Sequence, residues 1–549
     1  MDFFYSVFQR ELEFVDKLMG MASESSHPYE HKYKAREILN SLLQEERVKK
    51  SDEIARTAEA IIEYMLGVNH FETEEITESD KHYQKSLDLF STISFQEQGR
   101  FINIFQDLLN SLGVLCCNRG ENEKGLSYFI KSQELYLITK IFNTQTFSHN
   151  FHDFLTGTSG FHFIIDGGVN RCKIEQNYTL TLFYMAQEFA KLGEKEKSAM
   201  YCAETMKRQI ESGDYDIKDW AINSINLAEY YVENGYLNQA LYTLQCGMSI
   251  ILQNKRKLKS TIHMQIGRCF LAFLEMGATL HKDKLSIPDR IYSQCVAFRG
   301  LRVQFPRISP AGNLEEAKEL FKLANTSLKQ ALEYFIIDGY VTEHIEMKRN
   351  ISSLYKYLCY FDENEGRVIA MLQRRIEILE EYTKDLNRQA YSQLWQHLMN
   401  EISSVYLDIY DIKSSQLRGK NKKNQEIYTK TNISALTSIE KQVELLEFVQ
   451  KFELNDESAK DVIQSSLNLM FGIARTYTKL DHPEIEIKIS YMESCYRWYE
   501  RIQNYLTEVS EGKYGEEIKD IEEQMNICKE MCELMPIRIS QISAELNSI

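Results

Sequence analysis

The chain has 549 residues, 43% of them hydrophobic and 26% charged, which is more than one compact core usually holds and too apolar for global disorder. Its formal net charge of -16, from 80 acidic and 64 basic residues, argues against nucleic acid as the main ligand, because phosphate backbones attract concentrated Lys and Arg. Only six prolines occur, and the long proline-free stretches are rich in Glu, Lys, Leu, Gln and Ala, so the expected fold class is all-α.

The opening residues, Met1-Asp2-Phe3-Phe4-Tyr5 and onward to Arg10, lack the basic start and long apolar core of a secretory signal. No run reaches the ~18 uninterrupted apolar residues of a membrane span. The eleven cysteines are scattered through apolar helical patterns, as expected of reduced thiols in the cytoplasm. The acidic balance suits a basic partner surface and also serves solubility.

In chain order, Ala58 to Phe90 reads as an early helical hairpin broken at Gly67-Val68-Asn69-His70. Next come Leu112-Gly113, then Gly125, Phe129 and Ser132. Small residues at Gly113, Gly125 and Ser132 let two helix backbones approach, while Leu112 and Phe129 fill the space beside them. Residues 143–170 hold Gly157, Gly160, Gly167 and Gly168 among aromatic and polar residues, and read as a long loop. The earlier offsets return at Met185-Ala186, Phe189, Ser198, Cys202 and Thr205. They return again at Leu227-Ala228, Tyr231, Ala240, Leu244 and Gly247. Gly193 and Gly235 fall seven residues after the small residue of each pair, where a turn is needed. Three matches at one spacing predict stacked helical hairpins of tetratricopeptide type.

Residues 255–281 keep an apolar helical period throughout and predict one long helix. The segment 282–312 contains Pro288, Pro306 and Pro310 and marks a boundary. Leu354-Tyr355 through Arg375 reads as a further hairpin with Asp362-Glu363-Asn364-Glu365-Gly366 as its turn. Arg418 to Asn424 reads as a solvated basic loop. Ile473-Ala474 with Tyr477 predicts another first helix, followed by a turn at Pro483. The expected divisions are a tetratricopeptide-like subdomain at 1–254, a linker helix with a proline-containing loop at 255–312, and a second such subdomain at 313–549.

Signals of chemistry are few. No Gly-x-x-x-x-Gly-Lys-Ser/Thr loop occurs, and no Gly-x-Gly-x-x-Gly follows a strand-like run. Asp362-x-Asn364-x-Gly366 has its glycine one position early and Gln373 where a calcium loop closes with Glu. His149, His152, Asp153 and His162 lack the spacing of a zinc site and read as ordinary loop residues. Cys116-Cys117 and the pair Cys528 and Cys532 read as buried apolar thiols. With no nucleophile and base at short range, the expectation is a protein without enzymatic activity, metal, cofactor or small-molecule substrate.

A partner is the better expectation. In stacked hairpins the first helices line the inner face, which here presents Asn110 and Val114, then Leu180, Phe183 and Tyr184, then Ile222, Ile225 and Asn226. No basic residue stands among them, so a clamp for a carboxy-terminal carboxylate is excluded on charge. Tyr184, Gln187 and Asn226 suit a groove that holds a helix or peptide. Tyr184 suits packing between hairpins equally well.

An ordered series of segments goes beyond any generic helical repeat. It runs through Tyr33-Lys34-Ala35-Arg36-Glu37, Leu66-Gly67-Val68-Asn69-His70, Thr73-Glu74-Glu75, Tyr184-Met185-Ala186-Gln187, Lys207-Arg208-Gln209 and Trp220-Ala221-Ile222-Asn223. It continues with Ile337-Asp338-Gly339-Tyr340-Val341-Thr342-Glu343-His344-Ile345-Glu346, Arg374-Arg375 and Asp385-Leu386-Asn387. In these segments the chain resembles the KIF-binding protein family, also called kinesin-binding protein.

The resemblance implies a tetratricopeptide-like, right-handed helical solenoid in two subdomains joined by a linker helix. It implies binding to kinesin motor domains at their microtubule-binding face, which would block attachment to the track and regulate motor-driven transport and microtubule organisation. In animals the family is tied to axonal transport, neurogenesis and differentiation, with a cytoplasmic, cytoskeleton-associated location. The implied partner contacts are Tyr184, Gln187, Gln209 and Asn226, the last in place of a smaller polar residue. The loops at 143–170 and 282–312 are shorter than in vertebrate members, so contacts made there are not carried over. The competing expectation is a general tetratricopeptide adaptor that links cargo or chaperones to the cytoskeleton without silencing a motor.

Overall fold

A computed structural model describes residues 11–12, 14–21, 29–45, 48, 52–94, 101–145, 171–251, 255–417, 425–451, 459–511 and 521–547. Among the described residues every regular element is a helix. His149, His152, Asp153 and His162, residues 146–170 of the expected long loop, and the basic segment 418–424 lie outside them. The chain divides into two compact units. One comprises residues up to Asn234 with Gln245–Ile250 and Gln294–Phe305; the other comprises Gly235–Leu244, Ile251–Ser293 and the chain from Pro306 on.

In the first unit α1 (Glu30–Gln44) precedes three helical hairpins, α2 (Glu53–Glu72) with α3 (Ile76–Ser91), α4 (Ile102–Asn118) with α5 (Asn122–Gln145), and α6 (Arg171–Lys191) with α7 (Lys195–Ser212), and α8 (Ile217–Glu233) follows. Asp52 caps α2 by accepting from the Ala55 amide at 2.8 Å, and Asp216 caps α8 by accepting from Asp219 at 2.9 Å, each satisfying an otherwise orphaned donor.

The expected break at Gly67–His70 is not there. α2 runs through these residues, and the chain turns at Thr73–Glu75, where Glu74 takes a left-handed φ of 65°. Gly67 serves close approach instead: a Cβ on it would stand 2.3 Å from the Tyr83 ring of α3, and its carbonyl accepts from Ser79 Oγ at 2.8 Å. A glycine inside an apolar helical pattern reads as a breaker when its neighbour across the hairpin is unknown.

The first two of the three hairpins expected from these offsets form. A Cβ on Gly113 of α4 would lie 2.3 Å from the Phe129 ring of α5, and one on Gly125 would lie 2.8 Å from the Gly113 carbonyl oxygen. Between α6 and α7, Gly193 turns the chain with a φ of 78° and Ser198 Oγ donates to the Ala186 carbonyl at 2.8 Å. Gly235 makes the corresponding turn after α8, also with a φ of 78°. Trp220 of α8 is buried against Phe298 and donates its indole N–H to the Met206 carbonyl at 3.1 Å.

The second unit contains most of α9 (Leu237–Ile250), then α10 (Arg256–Asp283), α11 (Leu314–Leu332), α12 (Val341–Leu358), α13 (Glu365–Thr383), α14 (Ser392–Leu417), α15 (Gln425–Val449), α16 (Ala459–Lys479), α17 (Ile485–Glu511) and α18 (Ile521–Asn547). The expected long helix is α10, of 28 residues, and it pairs with α11. Its Gly267 faces Leu328, and its Gly277 faces the Ala311 backbone, 2.6 Å from where a Cβ would stand. Within the proline-containing stretch, Asn238 donates to the Ile291 and Ile308 carbonyls at 2.9 Å each and accepts from the Ile308 amide at 2.8 Å.

The expected turn Asp362–Gly366 is shorter than the sequence suggests. Asn364 caps α13, accepting from the Arg367 amide at 3.0 Å, so Glu365 and Gly366 already belong to the helix. The Asp362 carboxylate receives two N–H bonds from Arg367, each of 2.7 Å. Further on, Ala474 and Cys495 bring α16 and α17 together, the thiol lying 3.5 Å from the Ala474 carbonyl oxygen.

Candidate functional site: the inner helix face of the first unit

Helix α6 is pinned by buried polar groups. Thr181 donates to Asn110 Oδ1 of α4 at 2.9 Å and meets Ser132 of α5 at 3.0 Å. Asn110 donates to the Asn177 carbonyl at 3.1 Å, and Asn177 donates to the Asn103 carbonyl at 2.9 Å. Each of these side chains is buried and paired, so the network fixes the rotation of α6 against α4 and α5. Asn110, an inward-facing candidate by sequence, is thereby a structural residue.

That rotation decides what α6 offers. Tyr184 is half-buried, its ring stacked on Phe129 at 5.3 Å between centroids and inclined to Phe183 at 5.7 Å. Burial raises its hydroxyl pKa, with the Asp107 charge adding to the effect. Gln187, one turn further, is exposed, and Leu180, one turn earlier, is 43% exposed. One helix face thus carries an apolar side chain, a half-buried ring and a free amide, a combination that adapts to a partner helix.

Gln209, near the end of α7, reaches this face through Leu180. The two line an open cleft of about 630 Å³ together with Thr179, Arg208 and Tyr215. Gln209 Oε1 is buried and lacks a hydrogen-bond partner among the described residues, a cost that a donor entering the cleft relieves. Beside it, the Arg208 guanidinium lies 4.6 Å from the Tyr178 ring centroid and pairs with Glu175. Burial opposes ionisation of Glu175, but donation from Tyr136 and Arg208 outweighs it and holds the carboxyl below the usual range. Asn226 stands apart on α8, exposed beside the 37% exposed Ile222, and lines neither this cleft nor the next.

A second open cleft, of about 380 Å³, lies between the first helices of successive hairpins. Its walls include Tyr64 and Glu72 of α2, Asn103 and Asp107 of α4, and Lys173 of α6. Lys173 lines both clefts. The Tyr64 hydroxyl donates to the Asp107 carboxylate. Burial raises the Asp107 carboxyl pKa, against the pull of Tyr64 and Lys173. Sequence reasoning missed Tyr64 and Asp107. The available signal was a single charge inside the apolar run Ile102–Val114, since a charge at a core-facing position is costly unless used.

Among the described residues no three His, Cys, Asp or Glu side chains group as metal ligands, and no helix is long and apolar enough to cross a membrane. Burial pushes the Cys117 and Cys528 thiols up to about 12, which keeps them protonated at neutral pH.

These features define a helical-repeat protein whose first unit presents a partly apolar, partly acidic inner helix face. A family model described as KIF-1 binding protein C terminal matches residues 274–542. The KIF-binding protein of Gallus gallus is 26% identical over 577 residues, covering 95% of this chain and 94% of the relative. That of Homo sapiens is 27% identical over 542 residues, covering 89% and 84%, and that of Drosophila melanogaster is 22% identical over 586 residues, covering 95% and 94%. A solved structure of kinesin binding protein (KBP) superposes with a TM-score of 0.63 at 24% identity, covering 96% of this chain and 97% of that one. The chain is thus similar to KIF-binding proteins along most of its length, and residues 274–542 match that family's C-terminal model.

Proposed function

We propose that the chain binds kinesin motor domains at their microtubule-binding face and keeps them from attaching to the track. The observation that carries this reading is the face of α6. Leu180, the half-buried Tyr184 and Gln187 share one helix face, flanked by clefts that hold Glu72, Asp107, Glu211 and Asp214 beside the basic Lys173 and Arg208. A surface that grips acidic tubulin is basic, so a partly apolar face with mainly acidic flanks complements it in charge as well as shape. The names of the relatives and the net charge of -16 support the same partner. In this reading Tyr184, Gln187 and Gln209 contact the motor, Asn226 extends the contact onto α8, and the protein acts in the cytoplasm on motor-driven transport and microtubule organisation.

Microtubule-stimulated ATPase turnover of a kinesin motor domain, measured with rising amounts of this protein, tests the reading. Inhibition that extra microtubules relieve is expected, because motor capture and track binding then compete. Unchanged turnover across several kinesin classes rejects motor silencing and leaves a general adaptor.

A further inference from the structure

We propose that the second unit carries a separate docking cleft for a partner segment in which an apolar side chain stands beside Lys or Arg. The cleft, of about 570 Å³, opens between the start of α12 and the loop that follows α13. Two of the sequence segments singled out above meet there: Ile337, Val341 and His344 come from one, Asp385 and Asn387 from the other. Neither takes part in the inner face of the first unit.

The walls are fixed before any partner arrives. His344 spans them, with Nδ1 2.8 Å from the Phe335 carbonyl oxygen and Nε2 3.3 Å from the Tyr382 hydroxyl. The Tyr340 amide closes the turn onto the Ile336 carbonyl at 3.0 Å. Across the cleft, Asn387 Oδ1 accepts from the Gln389 and Ala390 amides at 3.0 and 3.2 Å. A preformed cleft spares a partner the cost of ordering it.

What stays open is apolar and negative. Ile337, 38% exposed, lines the cleft together with Val341 and Leu386. Glu381 and Asp385 are exposed on the rim. The one basic group of the lining, Lys348, lies 5.8 Å from the Tyr382 ring centroid, which engages its charge as a cation–π contact. The Asp385 carboxylate and that of Glu381, which also meets the Tyr382 side chain, stand beside an apolar slot and complement a cationic side chain next to an aliphatic one.

The test is titration of the full chain, labelled with carbon-13 in its Ile methyl groups, with the capped peptide Ile-Lys-Ile-Arg, using capped Ile-Glu-Ile-Glu as control. Saturable shifts at Ile337 and Ile345 with the basic peptide alone are expected, with apparent affinity at least tenfold lower in the Glu381→Lys, Asp385→Lys double variant. Both substitutions are on exposed positions, and an unchanged circular dichroism spectrum checks the fold. Absence of shifts at Ile337, equal response to the acidic peptide, or equal affinity in the double variant overturns the proposal. Motor inhibition is expected to be unchanged in that variant, and its loss would make the cleft part of the motor contact and overturn a separate partner.

Discussion

Tyr184 of α6 lies on Phe129 of α5 with ring planes only 21° from parallel. The ring is therefore both part of the packing and part of the exposed face, and the two roles separate by substitution. Tyr184→Phe keeps the stack and is expected to leave unfolding stability within about 0.5 kcal/mol of the parent. Tyr184→Ala removes the ring and is expected to cost about 1–3 kcal/mol, read by urea unfolding. Equal stability of all three proteins would refute a packing role.

Gly113 has no room for a methyl group beside Phe129. Gly113→Ala is expected to destabilise by about 1–3 kcal/mol through overpacking. The penalty is expected to shrink in a Phe129→Leu background, where the ring atoms are gone. A double-mutant cycle by chemical denaturation checks this, and strictly additive effects contradict the contact.

Acid is expected to weaken the first unit in two steps. Burial lowers the His70 pKa, helped by Arg36 and His82 and opposed by Glu75. The unfolded chain takes up that proton at about pH 6.5 while the folded chain resists it, so stability falls as the pH drops below that value. Burial opposes ionisation of Glu75, but Arg36 and His70 outweigh it and hold its carboxyl below the ordinary value of 4.5. That contribution is present above the ordinary value and is lost as the pH falls through the lowered one. Denaturant midpoints between pH 8 and pH 3.5 report both steps, and His70→Gln is expected to remove part of the upper one. An identical profile in parent and variant would count against it.

Asn238 fastens the backbone at two points within the proline-containing stretch with three hydrogen bonds. Asn238→Ala leaves a buried amide and two carbonyl oxygens without those partners, an expected cost of about 1–3 kcal/mol. Faster hydrogen exchange at Ile308 without a change at Asn110 is the expected signature. Unaltered exchange at Ile308 would contradict the clamp.

Much of the fold was legible because close helix packing demands small residues at fixed offsets. Gly113 with Gly125, and Ala186 with Ser198, announced their hairpins in this way, and Gly193 and Gly235 announced turns. The same logic failed at Gly67, whose need for space comes from Tyr83, a residue sixteen positions on that no local pattern ties to it. Of the candidate site, Tyr184 and Gln187 were legible from helical periodicity. The Asp107 cleft was not, since an aspartate in one turn of α4 reveals neither its burial nor Tyr64 from another hairpin. The cleft of the second unit was visible only as two separate segments, because His344 joins them through space.

The central claim is that the inner face of α6 meets a kinesin motor. Its most direct test is microtubule co-sedimentation of a motor domain with the parent protein and with Gln187→Lys. Gln187 is exposed, so the variant is expected to unfold as the parent does, while its added charge opposes a basic motor surface. The account predicts that the parent moves motors from pellet to supernatant with tubulin still polymerised, and that the variant needs at least tenfold more protein to do so. Equal release by both proteins would contradict the contact, and no release by either would contradict the function.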